Sequence, residues 1–391
     1  MTRSSDFNFD TIINRQGTAS AKWDRYGTPD ILPMWLADMD FESPPEVMAA
    51  LHQRVDHGVF GYSRPSDDLV DTVLTRLKHQ YRWIVKKDSL VWLPGLVTGI
   101  NVSCRAVGQQ GDNVLTTVPV YPPFLSAPSL SGRTLTTARL ADKQKRWEID
   151  FDRLEGAVTA RTRLFILCNP HNPTGRVFSK GELLQLVAFC ETHNLIICSD
   201  EIHCDLIFDT DTDTGRPHIP IAALGPDVSN QTITLMAPSK TFNIAGLGCS
   251  FAIIENPALR KQFKAAMAGI VPDVNALAFT ATAAAYRHGD RWLRALIDYL
   301  RENRDMVTRA INAMPGLAMH QIEATYLAWI DTRSAHLGNP AEFFEKAGVG
   351  LNNGIDFDGS GFVRLNFGCP RATLETGLSR MAEAMASRKE G

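Results

Sequence analysis

Short apolar runs alternate with helical patterns through the middle of this chain, and this alternation restricts its fold more than any other feature. One helix is predicted from Ser179, which opens a capping box with Glu182, to about His193. Strands that are separated by helices connect by right-handed crossovers, so the pattern predicts a mostly parallel sheet. The predicted strands cover residues 114–118, 164–168, 195–199, 232–236 and 247–254.

The two ends of the chain show different patterns. Near the N-terminus, Ser43 is predicted to cap a helix that has Pro44 in its first position and Glu46 in a capping box. A second helix is predicted over residues 66–81 and a long amphipathic helix over residues 290–313. The long helix suggests a connector into a second domain. Strand-like segments at 317–331 and 361–367, and helices near 340–347 and 372–387, are predicted there.

Length, charge and cysteine usage narrow the class of protein. The 391 residues suggest about two domains at the usual ~150 residues each. The net charge of −3 and the lack of a basic stripe argue against nucleic acid or an anionic membrane as a partner. The seven cysteines are scattered without a C-x-x-C pair, which indicates reduced thiols and no metal site. Without an apolar signal core or a membrane-length run, we predict a cytoplasmic protein.

Polar segments follow four of the predicted strands at the points where the strands end. Open α/β sheets bind ligands at the carboxyl ends of their strands, so these segments are predicted to meet in one crevice. That convergence is stronger evidence than any single motif. The residues concerned are Tyr121, Asn172, Asp200 and Lys240.

Lys240 and Asp200 together indicate pyridoxal 5'-phosphate (PLP) chemistry. A desolvated lysine can form an imine with the cofactor aldehyde, and an aspartate can pair with the protonated pyridine nitrogen. Each residue also has an ordinary explanation on its own. Lys240 can be an exposed loop lysine, and Asp200 can be a strand-end or helix-capping residue.

The weaker candidates fit the same hypothesis. Asn172 can donate to the phenolate oxygen of the cofactor or simply form a turn, and Tyr121 can stack on the ring or simply pack. Backbone N–H groups at a helix start, together with the Ser239 hydroxyl, can bind phosphate. Arg364 can grip a substrate carboxylate or form a surface ion pair. The helix-start residues are Gly95, Leu96 and Val97.

Read together, these motifs resemble fold type I PLP enzymes of the class I/II aminotransferase group, and within it the cystathionine β-lyase (C–S lyase) branch. The similarity extends over essentially the whole chain. The segments that show it are 33–41, 60–62, 119–124, 169–175, 199–203, 239–246 and 363–367.

The resemblance implies an α/β fold with a mostly parallel, seven-stranded PLP-binding sheet flanked by helices. It implies a large domain over residues 46–285 and a smaller α+β domain formed by residues 1–45 and 286–391. It also implies the site roles given above for Lys240, Asp200, Asn172, Tyr121 and Arg364, with Tyr121 also catalytic. Asn172, Tyr121 and Asp38 of the 34–40 loop are further predicted to contact the substrate, and Tyr62 to reach the phosphate in the neighbouring subunit of a homodimer.

Two departures from the aminotransferase pattern favour the lyase branch. His203, a predicted cofactor contact, stands where many aminotransferases have tyrosine, and Gly248 stands where they commonly have a phosphate-binding arginine. The expected reaction is β-elimination on L-cystathionine or a related cysteine S-conjugate. Transamination is the main alternative, and a non-catalytic regulator with this fold is another. The sequence has no G-x-G-x-x-G motif after an early strand, which argues against a dehydrogenase.

Overall fold

The computed structural model describes residues 7–143, 146–208 and 218–388. Within these ranges the chain forms fourteen β-strands and twelve α-helices. The strands are β1 (Leu32–Pro33), β2 (Leu90–Leu93), β3 (Asn113–Val118), β4 (Thr134–Arg139), β5 (Ala141–Lys143), β6 (Arg146–Glu148), β7 (Thr162–Cys168), β8 (Ile196–Asp200), β9 (Thr232–Met236), β10 (Ser250–Ile253), β11 (Leu327–Asp331), β12 (Val349–Gly350), β13 (Asn352–Asn353) and β14 (Phe362–Asn366). The helices are α1 (Pro45–Asp56), α2 (Asp67–Tyr81), α3 (Leu96–Ala106), α4 (Pro123–Leu130), α5 (Phe151–Ala157), α6 (Lys180–Thr192), α7 (Pro226–Asn230), α8 (Pro257–Met267), α9 (Ala276–His288), α10 (Asp290–Ala313), α11 (Pro340–Lys346) and α12 (Arg371–Ala386).

The central sheet of the described chain has seven strands in the order β2-β10-β9-β8-β7-β3-β4. Strands β9, β8, β7, β3 and β4 pair in parallel, whereas β10 is antiparallel to both of its neighbours. The predicted α/β fold with a mostly parallel sheet is therefore confirmed.

Helices cover both faces of this sheet because successive strand residues point to opposite sides. On β7, Leu164 and Ile166 pack into one core with residues of α3 and α8. Phe165 and Leu167, which alternate with them, pack into another core with residues of α5 and α6. Both faces of the sheet are thus covered, and a ligand can reach the sheet at its strand ends.

A smaller antiparallel sheet, β11-β14-β13, forms after the long helix α10. The N-terminal segment joins this region because β1 pairs in parallel with β12. All seven strands of the large sheet lie within residues 46–285, and all three of the small sheet lie within 286–391. The exact division into domains stays a prediction.

Most of the predicted elements are confirmed. Helix α10 has the predicted bounds, β9 covers residues 232–236 as expected, and Ser179 and Glu182 form the capping box of α6. The prediction for α1 is wrong by one residue: Pro44 is the N-cap, and the Ser43 hydroxyl donates to the carbonyl of Asn243 instead.

The strand predicted over 317–331 is also too long, because only Leu327–Asp331 is a strand. The residues before it turn back to the sheet-end loops, where the N–H groups of Glu323 and Ala324 both donate to the carbonyl of Gly175. A tertiary contact therefore replaces the ladder that a longer strand needs.

In the described part of the chain, no helix combines the length and the apolar character that a membrane crossing requires. All seven cysteines are free and buried.

Candidate active site

The four predicted strand-end residues meet at one edge of the sheet. The strands that precede them, β3, β7, β8 and β9, are adjacent and parallel, so their carboxyl ends coincide. The N–H of Tyr121 donates to the carbonyl of Asn172 at 3.1 Å. Asp200 and Lys240 lie close enough for each charge to change the pKa of the other. The structure thus brings Tyr121, Asn172, Asp200 and Lys240 together.

Lys240 presents a half-buried amine whose Nζ donates to the carbonyl oxygen of Ala37 at 2.6 Å. Burial is the main cause that lowers the pKa of Lys240 to about 8. The positive charge of Arg364 acts in the same direction, while the carboxylates of Asp38 and Asp200 oppose it. A sizeable fraction of neutral, nucleophilic amine therefore exists near neutral pH.

Asp200 ends β8 as a buried carboxylate with one backbone donor, the N–H of Ile202 at 3.1 Å. Burial raises its pKa to about 7, and the neighbouring charge of Glu201 adds to this effect. Among the described residues no cationic side chain forms an ion pair with Asp200. A bound cationic N–H group at this position stabilises the ionised carboxylate.

His203 lies on the turn after β8 and is buried beside Tyr326, with the two ring centroids 5.9 Å apart. Burial, together with the positive charges of Lys240 and Arg364, lowers the pKa of His203 to about 3, so the ring is neutral. Its Nδ1 is buried without a partner among the described residues. A neutral ring with an unsatisfied nitrogen fits a bound polar molecule.

Arg364 is buried on β14, and three neutral oxygens hold its guanidinium. Its Nη1 donates to Asn172 Oδ1 at 2.9 Å, and its Nη2 donates to the carbonyl of Trp35 at 2.8 Å and to Asn352 Oδ1 at 2.7 Å. Burial lowers its pKa to about 10, and its Nε has no partner among the described residues. No carboxylate of the described chain pairs with it. This is an oriented cation that is available to an anionic ligand.

The amide of Asn172 has a defined orientation because its oxygen accepts from Arg364. Its two Nδ2 donors therefore remain for another acceptor. Burial raises the pKa of the nearby Tyr121 phenol, which consequently stays protonated at neutral pH.

The start of α3 offers backbone donors beside this crevice. Gly95 is the N-cap and gives no side-chain cap, so the first N–H groups, including those of Leu96 and Val97, are not satisfied within the helix. Ser239 lies directly before Lys240 in the chain. Such donors at the positive end of an eleven-residue helix suit an anion.

The local structure favours glycine at position 248, where aminotransferases commonly have an arginine. Its φ is +69°, and an added Cβ would lie 3.0 Å from the carbonyl oxygen of Pro94. The backbone before α3 thus occupies the space that a side chain at position 248 needs. An arginine cannot take the same place without moving this segment.

Two predicted site residues are placed differently from the rest. Tyr62 is fully exposed, so it does not contact the crevice of its own chain. The carboxylate of Asp38 is held by Arg15 at 2.7 Å and lies 3.6 Å from Lys22. Asp38 acts on Lys240 through its charge rather than through a hydrogen bond.

The 34–40 loop, for which the sequence predicted a substrate contact through Asp38, organises the site through its main-chain oxygens. We call residues 35–38 the strap. Its carbonyls accept from Arg364 at Trp35, from Asn366 at Leu36 and Asp38, and from both Lys240 and Tyr326 at Ala37. No side-chain motif signals these contacts because every acceptor is a main-chain oxygen.

Comparisons with known proteins agree with this geometry. Residues 30–381 match the family model described as aminotransferase class I and II. The cystathionine beta-lyase PatB of Bacillus subtilis is 38% identical, over 97% of this chain and 100% of the relative. The crystal structure of OvoB has a TM-score of 0.95 and 46% identity, covering 98% of this chain and all of the other. The PLP-bound C–S lyase of Staphylococcus hominis has a TM-score of 0.91 and 33% identity, covering 98% and 99% of the two chains. The chain therefore belongs to the class I and II aminotransferase family.

Proposed function

We propose that this protein is a PLP-dependent carbon–sulfur lyase that cleaves L-cystathionine or a related cysteine S-conjugate by β-elimination. With water, cystathionine gives homocysteine, pyruvate and ammonia. The observation that supports this most is the grouping of three unusual residues in one crevice. Lys240 has a lowered pKa, Asp200 is a buried carboxylate without a cation, and Arg364 is a buried cation without a carboxylate.

The residues present fit PLP. Lys240 would hold the aldehyde carbon, Asp200 the pyridine nitrogen and Asn172 Nδ2 the phenolate oxygen, and the unsatisfied Nδ1 of His203 would be a further polar contact for the cofactor. Tyr121 would lie against the ring. The α3 amides and the Ser239 hydroxyl would hold the phosphate. When bound, PLP supplies an electron sink for the negative charge that develops at the substrate Cα.

The chain's own residues then have defined tasks. Arg364 binds the α-carboxylate of the substrate and so orients its Cα towards Lys240. Lys240 Nζ, freed when the substrate amine takes its place, accepts the Cα proton, and the Ala37 carbonyl fixes the direction of that amine. Loss of the Cα proton and expulsion of thiolate from Cβ leave aminoacrylate, which hydrolyses to pyruvate and ammonia.

Product analysis separates elimination from transamination. The purified protein is incubated with L-cystathionine without a 2-oxo acid acceptor. Sustained release of pyruvate and free thiol supports the lyase, whereas at most one turnover per site would show an aminotransferase. The non-catalytic alternative predicts no product at all.

Covalent attachment of the cofactor is tested separately. Borohydride reduction of the protein with PLP, followed by peptide mapping, is expected to place a pyridoxyl group on Lys240. The Lys240→Ala variant is expected to lose it, and the exposed-lysine variant Lys180→Ala to keep it. A tag on another lysine contradicts the assignment.

A homodimer in the cytoplasm is part of the proposal. Tyr62 and its neighbours Val59 and Phe60 are apolar or aromatic and largely exposed, which suits contact with a second copy. In that dimer Tyr62 would reach the phosphate of the partner's cofactor. Seven free thiols suit a reducing compartment.

A further inference from the structure

A buried ion pair lies beneath the loop that contains Lys240 (residues 237–246, the Lys240 loop). The Asp205 side chain is 2% exposed and accepts from Arg76 Nη2 at 2.9 Å. It also accepts from the Tyr81 hydroxyl at 2.6 Å and from Thr241 Oγ1 at 3.1 Å. Thr241 is the residue next to Lys240 in the chain, so this carboxylate holds the backbone on one side of the amine.

Arg76, the cation of this ion pair, has further contacts that hold it in place. Arg76 Nη1 pairs with Asp290 at 3.0 Å, and its guanidinium lies 5.0 Å from the ring centroid of Tyr286. Burial raises the pKa of Asp205, but Arg76 and the hydrogen-bond donors outweigh burial and hold that pKa below its ordinary value. The carboxylate is therefore a charged, immobile acceptor for the Thr241 hydroxyl.

We propose that Asp205 is a positioning residue for Lys240, acting through the hydroxyl of Thr241. The inference rests on the proposed role of Lys240 and adds how the main chain at Lys240 is held in place. The only hydrogen bond of Lys240 Nζ in the described chain is to the Ala37 carbonyl, so the amine has no second constraint of its own. A shift of Thr241 moves Lys240 with it, and small misplacements of a reacting group reduce rates strongly.

The same pair connects the loop to α2. Arg76 and Tyr81 both lie on this helix, which begins five residues after Tyr62. In the proposed dimer, Tyr62 serves the partner's site. Asp205 thus ties Lys240 of one site to the helix that follows Tyr62 in the chain.

Three substitutions test the positioning role. Thr241→Val removes the hydroxyl and keeps the shape, and Thr241→Ser restores the hydroxyl. Thr234→Val is the matched control, because the Thr234 hydroxyl is buried on β9 without a partner in the described chain. Each variant is assayed for kcat and KM with L-cystathionine. In the protein without cofactor, amide hydrogen exchange is followed at Phe242 and Ile244, whose N–H groups bond within the loop.

In Thr241→Val we expect kcat to fall about tenfold or more while KM changes less than about threefold. Exchange at Phe242 and Ile244 is expected to accelerate about tenfold. Thr241→Ser and Thr234→Val are expected to match the wild type. Wild-type kcat and exchange in Thr241→Val would overturn the inference, and so would equal losses in Thr234→Val.

If Thr241→Val fails to fold, Thr241→Ala is measured in the same way. Failure of the proposed function is distinguishable: a wild-type protein without a pyridoxyl group on Lys240 contradicts the function, while the exchange data still report whether Asp205 holds the loop.

Discussion

Arg364 Nη1 donates to Asn172 Oδ1 at 2.9 Å, although the two residues are 192 positions apart in the chain. This bond links the proposed substrate arginine on the small sheet with the proposed cofactor amide in the loop after β7 of the large sheet. Because the amide oxygen faces Arg364, the amide nitrogen must point elsewhere. The two halves of the site are therefore oriented by one contact.

A negative charge at position 352 is expected to compete with the substrate carboxylate. In Asn352→Asp, a carboxylate replaces the amide oxygen that accepts from Arg364 at 2.7 Å. We expect KM for L-cystathionine to rise roughly 10- to 100-fold, since hydrogen bonds to charged groups contribute about 1.5–3 kcal/mol, with little change in kcat. Asn353→Asp adds the same charge one residue away, beside Asn339 rather than Arg364, and is the control. Equal KM values for both variants would contradict the role of Arg364.

Lys240 is expected to react as an amine of low pKa. In the protein without cofactor, acetylation of Lys240 measured by mass spectrometry should reach half of its maximal rate near pH 8, the pKa of about 8 that burial produces. Acetylation of the exposed Lys180 is followed in the same samples as the reference lysine. In Arg364→Met the Lys240 profile should move to higher pH, because a positive charge that lowers the pKa is removed. An unchanged profile would show that the two residues do not interact.

Asp200 is expected to destabilise the cofactor-free protein as the pH rises. Its pKa is raised from 3.8 to about 7 in the folded state, so the folded carboxyl keeps a proton that the unfolded chain has lost. Below about pH 4 the protonated Asp200 carboxyl makes its full contribution to the free energy of unfolding. Between about pH 4 and 7 this contribution falls by about 2–4 kcal/mol.

Urea unfolding at about pH 5 and about pH 8 tests this. The wild type should lose more stability over that interval than Asp200→Asn, which has no carboxyl to titrate. Asp273→Asn, in an exposed loop, should follow the wild type. The same dependence on pH in the wild type and in Asp200→Asn would exclude this effect. Asp200→Asn should also lose lyase activity.

The shared-site dimer predicts complementation between inactive subunits. Lys240→Ala and Tyr62→Ala are each expected to be impaired, but a mixed dimer has one site with both wild-type residues. Random exchange should restore about a quarter of wild-type activity, because about half of the dimers are mixed and each has one intact site. In an equal mixture of the double variant with wild-type chains, the mixed dimers have no intact site, so exchange should lower the activity from about half to about a quarter of the wild type. Activity equal to the mean of the two parents would contradict sharing.

The sequence was sufficient for the parts of the fold that depend on local pattern. Strand β9 and helix α10 have the predicted bounds because a run of apolar residues and a 3.6-residue period each favour one local structure. Adjacent parallel strands then place Asp200, Asn172 and Lys240 at one edge, whatever the loops between them do. These residues could be selected before their distances were known.

Tertiary structure alone decided how those residues are held. The strap carbonyls on Lys240 and Arg364 and the Asp205 pair under Thr241 join segments that lie apart in the chain. Main-chain oxygens are the same at every residue, and irregular segments have no periodic arrangement of apolar residues. No sequence pattern therefore predicts these contacts. The wrong prediction of Ser43 as an N-cap has the same cause. Its hydroxyl donates to a carbonyl 200 residues away instead of capping the helix that follows it. Local preferences select elements, but the orientation of a reacting group depends on contacts that exist only after the chain has folded.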